Sequence, residues 1–177
     1  AVLSVEFGKD SRTYNTVLTA ISEGKTKLNE ISSLFNNKKN ESIKYLDILR
    51  REFNLVQKMT PITENPMKSR TGRYKIIDNF LSFWFYFYDK NRSYIEQERF
   101  DEILRYFNNE FNAFVGRKFE KFMISLIKEK KILSEINVNR VGNQWGKSDV
   151  GAYEIDIVAI NDSKKEILFG ECKWKEK

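Results

Sequence analysis

The residues best suited to chemistry lie near the end of the chain. Glu154 and Asp156 stand in the apolar run Tyr153-Glu154-Ile155-Asp156-Ile157-Val158-Ala159-Ile160, and Glu171 and Lys173 follow in Phe169-Gly170-Glu171-Cys172-Lys173-Trp174. The polar stretch Asn161-Asp162-Ser163-Lys164-Lys165 between the runs predicts a hairpin. Side chains alternate faces along a strand, so Glu154 and Asp156 share one face of the first strand, and Glu171 and Lys173 one face of the second. Charges set into an apolar surface are costly unless paired or used. One reading is a cross-strand salt bridge, with Lys173 satisfying Asp156 or Glu171. The other is a site for a hard cation, Mg or Mn, bound by Asp156 and Glu171 and completed by substrate phosphate. There the metal would polarise the phosphate and Lys173 would steady the attacking hydroxide or the developing charge.

Composition narrows the alternatives. The chain has no histidine and one cysteine, Cys172, so Cys/His zinc sites, Ser-His-Asp and Cys-His catalysis and an internal disulfide are excluded. Any general acid or base must be a carboxylate, a lysine or a tyrosine. Cys172 faces away from Glu171 and Lys173 and reads as a small buried hydrophobe. With 41% hydrophobic and 32% charged residues, the 177-residue chain can bury a core of one or two domains. A net charge of +6 permits nucleic acid as a partner. No apolar run is long enough to span a bilayer, and no secretory signal is seen, so a cytoplasmic protein with no membrane partner is expected.

Asp156, fourteen intervening residues and Glu171-x-Lys173 on a hairpin resemble the PD-(D/E)XK nuclease-like superfamily, in its resolvase and restriction-endonuclease-like branch. That core opens with a helix carrying a further acid. In Phe114-Val115-Gly116-Arg117-Lys118-Phe119-Glu120-Lys121 the matching position is Glu120. The resemblance implies catalytic roles for Glu120, Asp156, Glu171 and Lys173, with Glu154 as a reserve ligand. It also implies that the superfamily core continues beyond Lys177, so the nuclease-like domain is expected to be incomplete here.

The elements that must position these residues follow from periodicity. Tyr14, Val17, Leu18 and Ile21 predict a first helix stopped by Gly24. Gly24-Lys25-Thr26 is not a phosphate-binding loop, because Thr19 stands where that motif needs glycine, so no nucleotide site is expected. Leu28, Ile31, Leu34 and Phe35 predict a second helix. Asn40 is expected to cap a third, with Ile43, Leu46, Leu49 and Phe53 inward. Strands are expected over 54–59 and 72–78. Three helices and a ribbon form the pattern of a winged helix-turn-helix over 8–78. Its third helix offers Lys44, Arg50 and Arg51 to a DNA major groove, and its wing offers Lys68, Arg70, Arg73 and Lys75 to phosphates. Glu41, Asp47 and Glu52 oppose DNA, and such modules also bind proteins.

Residues 79–110 read as an aromatic-rich helical connector. Phe80-Leu81-Ser82-Phe83-Trp84-Phe85-Tyr86-Phe87-Tyr88 suits core packing better than base stacking. Residues 111–177 read as the nuclease-like domain, with a helix over 115–130 striped by Phe119, Phe122, Met123, Leu126 and Ile127. A strand is expected within 132–141, and a loop or short strand over 142–149. The expected class is therefore α+β, ending in a restriction-endonuclease-like α/β core.

The Tyr14 to Lys27 region, Gly72 to Trp84, and Glu154 to Trp174 together look like the C-terminal portion of archaeal P-loop (AAA-type) ATPases. That resemblance implies an ATPase core upstream, then a winged helix and a nuclease-like domain of unknown function. The function expected is a DNA-binding, nuclease-like module, with metal-dependent phosphodiester hydrolysis. The alternatives are an inactive protein-interaction or regulatory module of the ATPase, and a plain winged-helix DNA-binding regulator.

Overall fold

Helix α1 (Ser11–Ser22) forms where apolar residues recur at helical spacing, and Tyr14, Val17, Leu18 and Ile21 are all buried. The computed structural model describes residues 7–175. Gly24, at φ +100°, ends α1: its N–H reaches the Ile21 carbonyl and the Lys25 N–H reaches the Ala20 carbonyl. That pair of bonds satisfies carbonyls the helix end would leave open. Helix α2 (Leu28–Ser32) starts with the Lys27 N–H donating to the Glu30 carboxylate at 2.9 Å. Helix α3 (Lys39–Arg51) begins before Asn40, which therefore does not cap it. The preceding turn is made instead by Asn36 and Asn37 at positive φ, a conformation asparagine tolerates.

On α3 the buried residues are Ser42, Tyr45, Leu46 and Leu49. Ile43, expected inward, is 39% exposed, because Tyr45 takes the core position and stacks on Phe35 at 5.3 Å. Strands β1 (Val56–Met59) and β2 (Arg73–Ile76) pair antiparallel, with Val56 opposite Ile76 and Met59 opposite Arg73. An isolated bridge from Lys27 to Arg73 joins the start of α2 to the ribbon.

Asp78 then accepts the Leu81 N–H at 2.7 Å and caps α4 (Asn79–Phe83). The chain continues as a π-helical turn, Trp84–Tyr88, that buries three consecutive aromatics, Phe85, Tyr86 and Phe87. Helix α5 (Arg92–Glu96) follows.

The next helix, α6, runs unbroken from Phe100 to Lys128. It passes through residue 110, where the connector was expected to end, and through 115, where a new helix was expected to begin. Three strands then form one antiparallel sheet in the order β3 (Arg140–Ser148), β4 (Gly151–Asn161), β5 (Glu166–Gly170). The strand expected within 132–141 thus lies further on. β3 occupies the stretch read as a loop and carries a bulge between Gly142 and Gln144.

The chain divides into two units. The first holds the described residues through Met59 together with Gly72–Leu104, around a core of Val17, Leu18, Ile31, Leu46, Leu49, Val56 and Phe85. The second holds Thr60–Thr71 and the described residues from Arg105 onward. Its core joins Ile124 and Ile127 of α6 to Ile157 of β4, flanked by Met123, Ile132, Val138, Val141 and Cys172. Phe122, expected on the buried stripe of this helix, is 55% exposed, and Ile124 occupies the inward position. The architecture is α+β, with helices and two small antiparallel sheets. Among the described residues, no helix is long and apolar enough to cross a membrane.

Candidate functional site

In the second unit α6 carries Glu120 four residues before Ile124 and seven before Ile127, on the helix face turned to β4. β4 carries Asp156 next to buried Ile157. Ile157 pairs with Gly170, the last residue of β5, so the chain leaves the sheet directly beside Asp156.

Residues 171–175 lie just beyond β5 rather than within it. Asp156 holds them: its Oδ2 accepts the Cys172 N–H at 2.8 Å. The backbone carbonyl of Asp156 accepts from Asn143 Nδ2 on β3 at 2.8 Å. Two residues on, Trp174 Nε1 donates to Asn112 Oδ1 of α6 at 3.3 Å, and its ring lies 5.6 Å from that of Phe119. A Cβ on Gly116 would meet Trp174 Cβ at 3.7 Å, so α6 presents a shallow seat there.

Cys172 packs half-buried against the Ile124, Ile127 and Ile157 cluster. Burial raises its thiol pKa above the ordinary value, and the charges of Asp156 and then Glu120 raise it further. Both carboxylates therefore act on one point, where Cys172 sits. Glu171 and Lys173 face outward, 70% and 62% exposed, and pair at 3.2 Å. Glu154 lies opposite Trp145 on the exposed end of β4. Among the described residues, no three acidic, cysteine or histidine side chains cluster closely enough to hold a metal ion. Asn143 and Trp174, which fix Asp156 and the segment after β5, were not singled out by the sequence reading. The one sequence signal for Trp174's seat was the glycine at 116.

The basic residues divide between the units. Lys44, Arg50 and Arg51 lie on α3, and Arg73 and Lys75 on β2, in the first unit. Asp47 holds Arg50 at 2.8 Å and reaches Arg51 at 3.9 Å. The Arg50 Nε is buried, and its charge acts on buried Tyr74 of β2. Arg50 therefore ties α3 to the ribbon.

Lys68 and Arg70 lie in the Thr60–Thr71 segment of the second unit, both exposed. That segment is anchored to β3 at both ends. Ile62 N–H donates to the Asn143 carbonyl at 3.0 Å, the Thr63 hydroxyl to Gln144 Oε1 at 3.0 Å, and Trp145 Nε1 to the Thr71 carbonyl at 2.9 Å. Met67 at the tip is 95% exposed.

A family model described as archaeal and bacterial proteins of unknown function matches residues 84–177, just over half of the chain. An uncharacterized protein of Methanocaldococcus jannaschii is 35% identical over 180 residues, covering 99% of this chain. The chain spans 38% of that relative's length. No solved structure matches.

Proposed function

The chain belongs to the family of archaeal and bacterial proteins of unknown function known as DUF234, and from that premise we propose a nucleic-acid-binding, nuclease-like module. The carrying observation is the convergence of Glu120 and Asp156 on Cys172, with Glu171 and Lys173 immediately adjoining. An acid on a helix, a second on the central strand and a Glu-x-Lys pair beside it support the PD-(D/E)XK reading. The three helices and ribbon of the first unit support the winged-helix one.

The donor set is small but suits magnesium, which needs only one or two carboxylates besides substrate phosphate and water. Asp156 and Glu171 would hold it, and when bound it would polarise the phosphate. Asp156 is already oriented by the Cys172 amide. Lys173 is held beside Glu171, ready to stabilise negative charge on a phosphodiester. Lys68 and Arg70, on the anchored loop, would bind the DNA backbone. In the longer, cytoplasmic protein this module would serve an ATPase, a reading supported by the greater length of the relative.

The test is incubation of supercoiled, linear and branched DNA with the chain, and with a longer form of the protein, in magnesium, manganese or EDTA. Metal-dependent cutting lost in Asp156→Ala and Lys173→Ala establishes a nuclease. No cutting, with no magnesium uptake by calorimetry, refutes it. A second reading rests on the Glu171–Lys173 ion pair and the lack of a metal-sized cluster among the described residues. On that reading the charges are structural, and the module regulates the ATPase through protein contacts.

A further inference from the structure

The first unit contains a cleft of about 1440 Å³ between α1 and the aromatic helix. Its two walls differ in chemistry. The α1 wall is polar and basic, with Lys9, Arg12, Asn15 and Thr16, and Lys25 at its far end. The opposite wall presents Phe80 and Trp84. Phe80 is 66% exposed, and Trp84 stacks on exposed Tyr88 at 3.8 Å, so rings recur every four residues along the helix.

The charge balance of this cleft is positive. Its two carboxylates are already engaged: Glu23 pairs with Lys90 at 2.7 Å, and Asp89 with Arg92 at 2.8 Å. Lys9, Arg12 and Lys25 make no ion pair among the described residues. A drug-sized ligand occupies a pocket of about 300–1,000 Å³. This cleft is larger, open along its length, and lined by cations on one side and flat rings on the other.

We propose that this cleft binds single-stranded nucleic acid, its phosphates along Lys9, Arg12 and Lys25 and its bases stacked on Phe80 and Trp84. Rows of aromatic faces beside a positive groove are how single strands are held without sequence preference. An acidic peptide would satisfy the cations but would leave the exposed rings unused. The inference goes beyond the nuclease reading and stands on the first unit alone, whether or not the second unit cuts.

The experiment is fluorescence anisotropy with a labelled oligothymidylate of about 15 nucleotides, at several salt concentrations. Phe80→Ala, at an exposed position, is expected to weaken binding at least about fivefold, the loss of one stacked base. With three phosphates neutralised, log K falls against log salt with a slope of about −2, and Arg12→Ala makes the slope shallower by about 0.7. Equal affinity of wild type and Phe80→Ala overturns the proposal. So does displacement by polyglutamate as effective as by unlabelled oligonucleotide, which assigns the cleft to an acidic peptide. The winged-helix reading is tested separately. Lys68→Ala with Arg70→Ala should weaken duplex binding and leave the oligothymidylate affinity unchanged, so the two ideas fail independently.

Discussion

Asp156 offers a prediction that isolates one bond. Its Oδ2 accepts the Cys172 N–H at 2.8 Å, at the point where the chain leaves β5 and no strand pairing holds it. A hydrogen bond to an ionised acceptor contributes about 1.5–3 kcal/mol net. If Asp156→Ala removes it, the Cys172 amide opens more readily by that amount, and its exchange with solvent deuterium accelerates about 10- to 150-fold. Asp156→Asn keeps a neutral acceptor in the same place. Neutral bonds are about half as strong, so that variant should accelerate exchange only about 3- to 12-fold. Amide exchange read residue by residue by NMR tests both, with fully buried Leu18 of the first unit as an internal control. If the Cys172 amide in Asp156→Ala exchanges within about twofold of wild type, the carboxylate does not hold the segment and the reasoning fails.

Three further outcomes follow from the same geometry. The Cys172 thiol titrates above its ordinary value through burial and through the charges of Asp156 and Glu120. Glu120→Gln and Asp156→Asn should therefore each lower its pKa and speed alkylation by iodoacetamide at mildly alkaline pH; unchanged rates would separate Glu120 from the site. Trp145 is buried and donates to the Thr71 carbonyl. Trp145→Phe leaves that carbonyl without this donor and should cost about 1–3 kcal/mol in urea unfolding. Arg140 holds the Asp162 carboxyl below its ordinary 3.8 through a two-point pairing at 2.9 and 2.6 Å. A carboxyl with a lowered folded-state pKa stabilises above 3.8 and loses that contribution as pH falls through its folded value. Arg140→Ala should flatten this part of the stability profile, and the difference should shrink in high salt.

The first unit was largely legible because its apolar residues keep helical spacing and its helix stop is a glycine. Tyr14, Val17, Leu18 and Ile21 declared α1, and Gly24 ended it. β3 was not legible. Its sequence, Arg-Val-Gly-Asn-Gln-Trp-Gly-Lys-Ser, has no alternation, because its buried positions include Asn143 and Gln144. These two are affordable inside only through partners remote in sequence: the Asp156 carbonyl for one, Thr63 and the Tyr153 hydroxyl for the other. A single chain pattern carries no trace of such partners. α6 was cut short in the reading because Gly116 and a polar stretch interrupt its stripe. The spacing of Asp156, Glu171 and Lys173 located the neighbourhood of the site, but their relation to β5 depends on where pairing stops, which Trp174 and α6 help to set.

The π-helical turn at Trp84–Tyr88 has a consequence for the phase of everything after it. A π turn is an α-helix carrying one extra residue. Removing one residue there would restore ordinary winding and rotate the downstream chain by about 100° about the helix axis. Asp89 would swing away from the Thr19 hydroxyl it now accepts from at 3.3 Å, and Lys90 away from Glu23. Three adjacent aromatics could no longer share one interior, since successive α-helical positions fan round the axis. Length at this turn is thus fixed to the single residue, and a change in residue type is tolerated more readily there than a change in residue count.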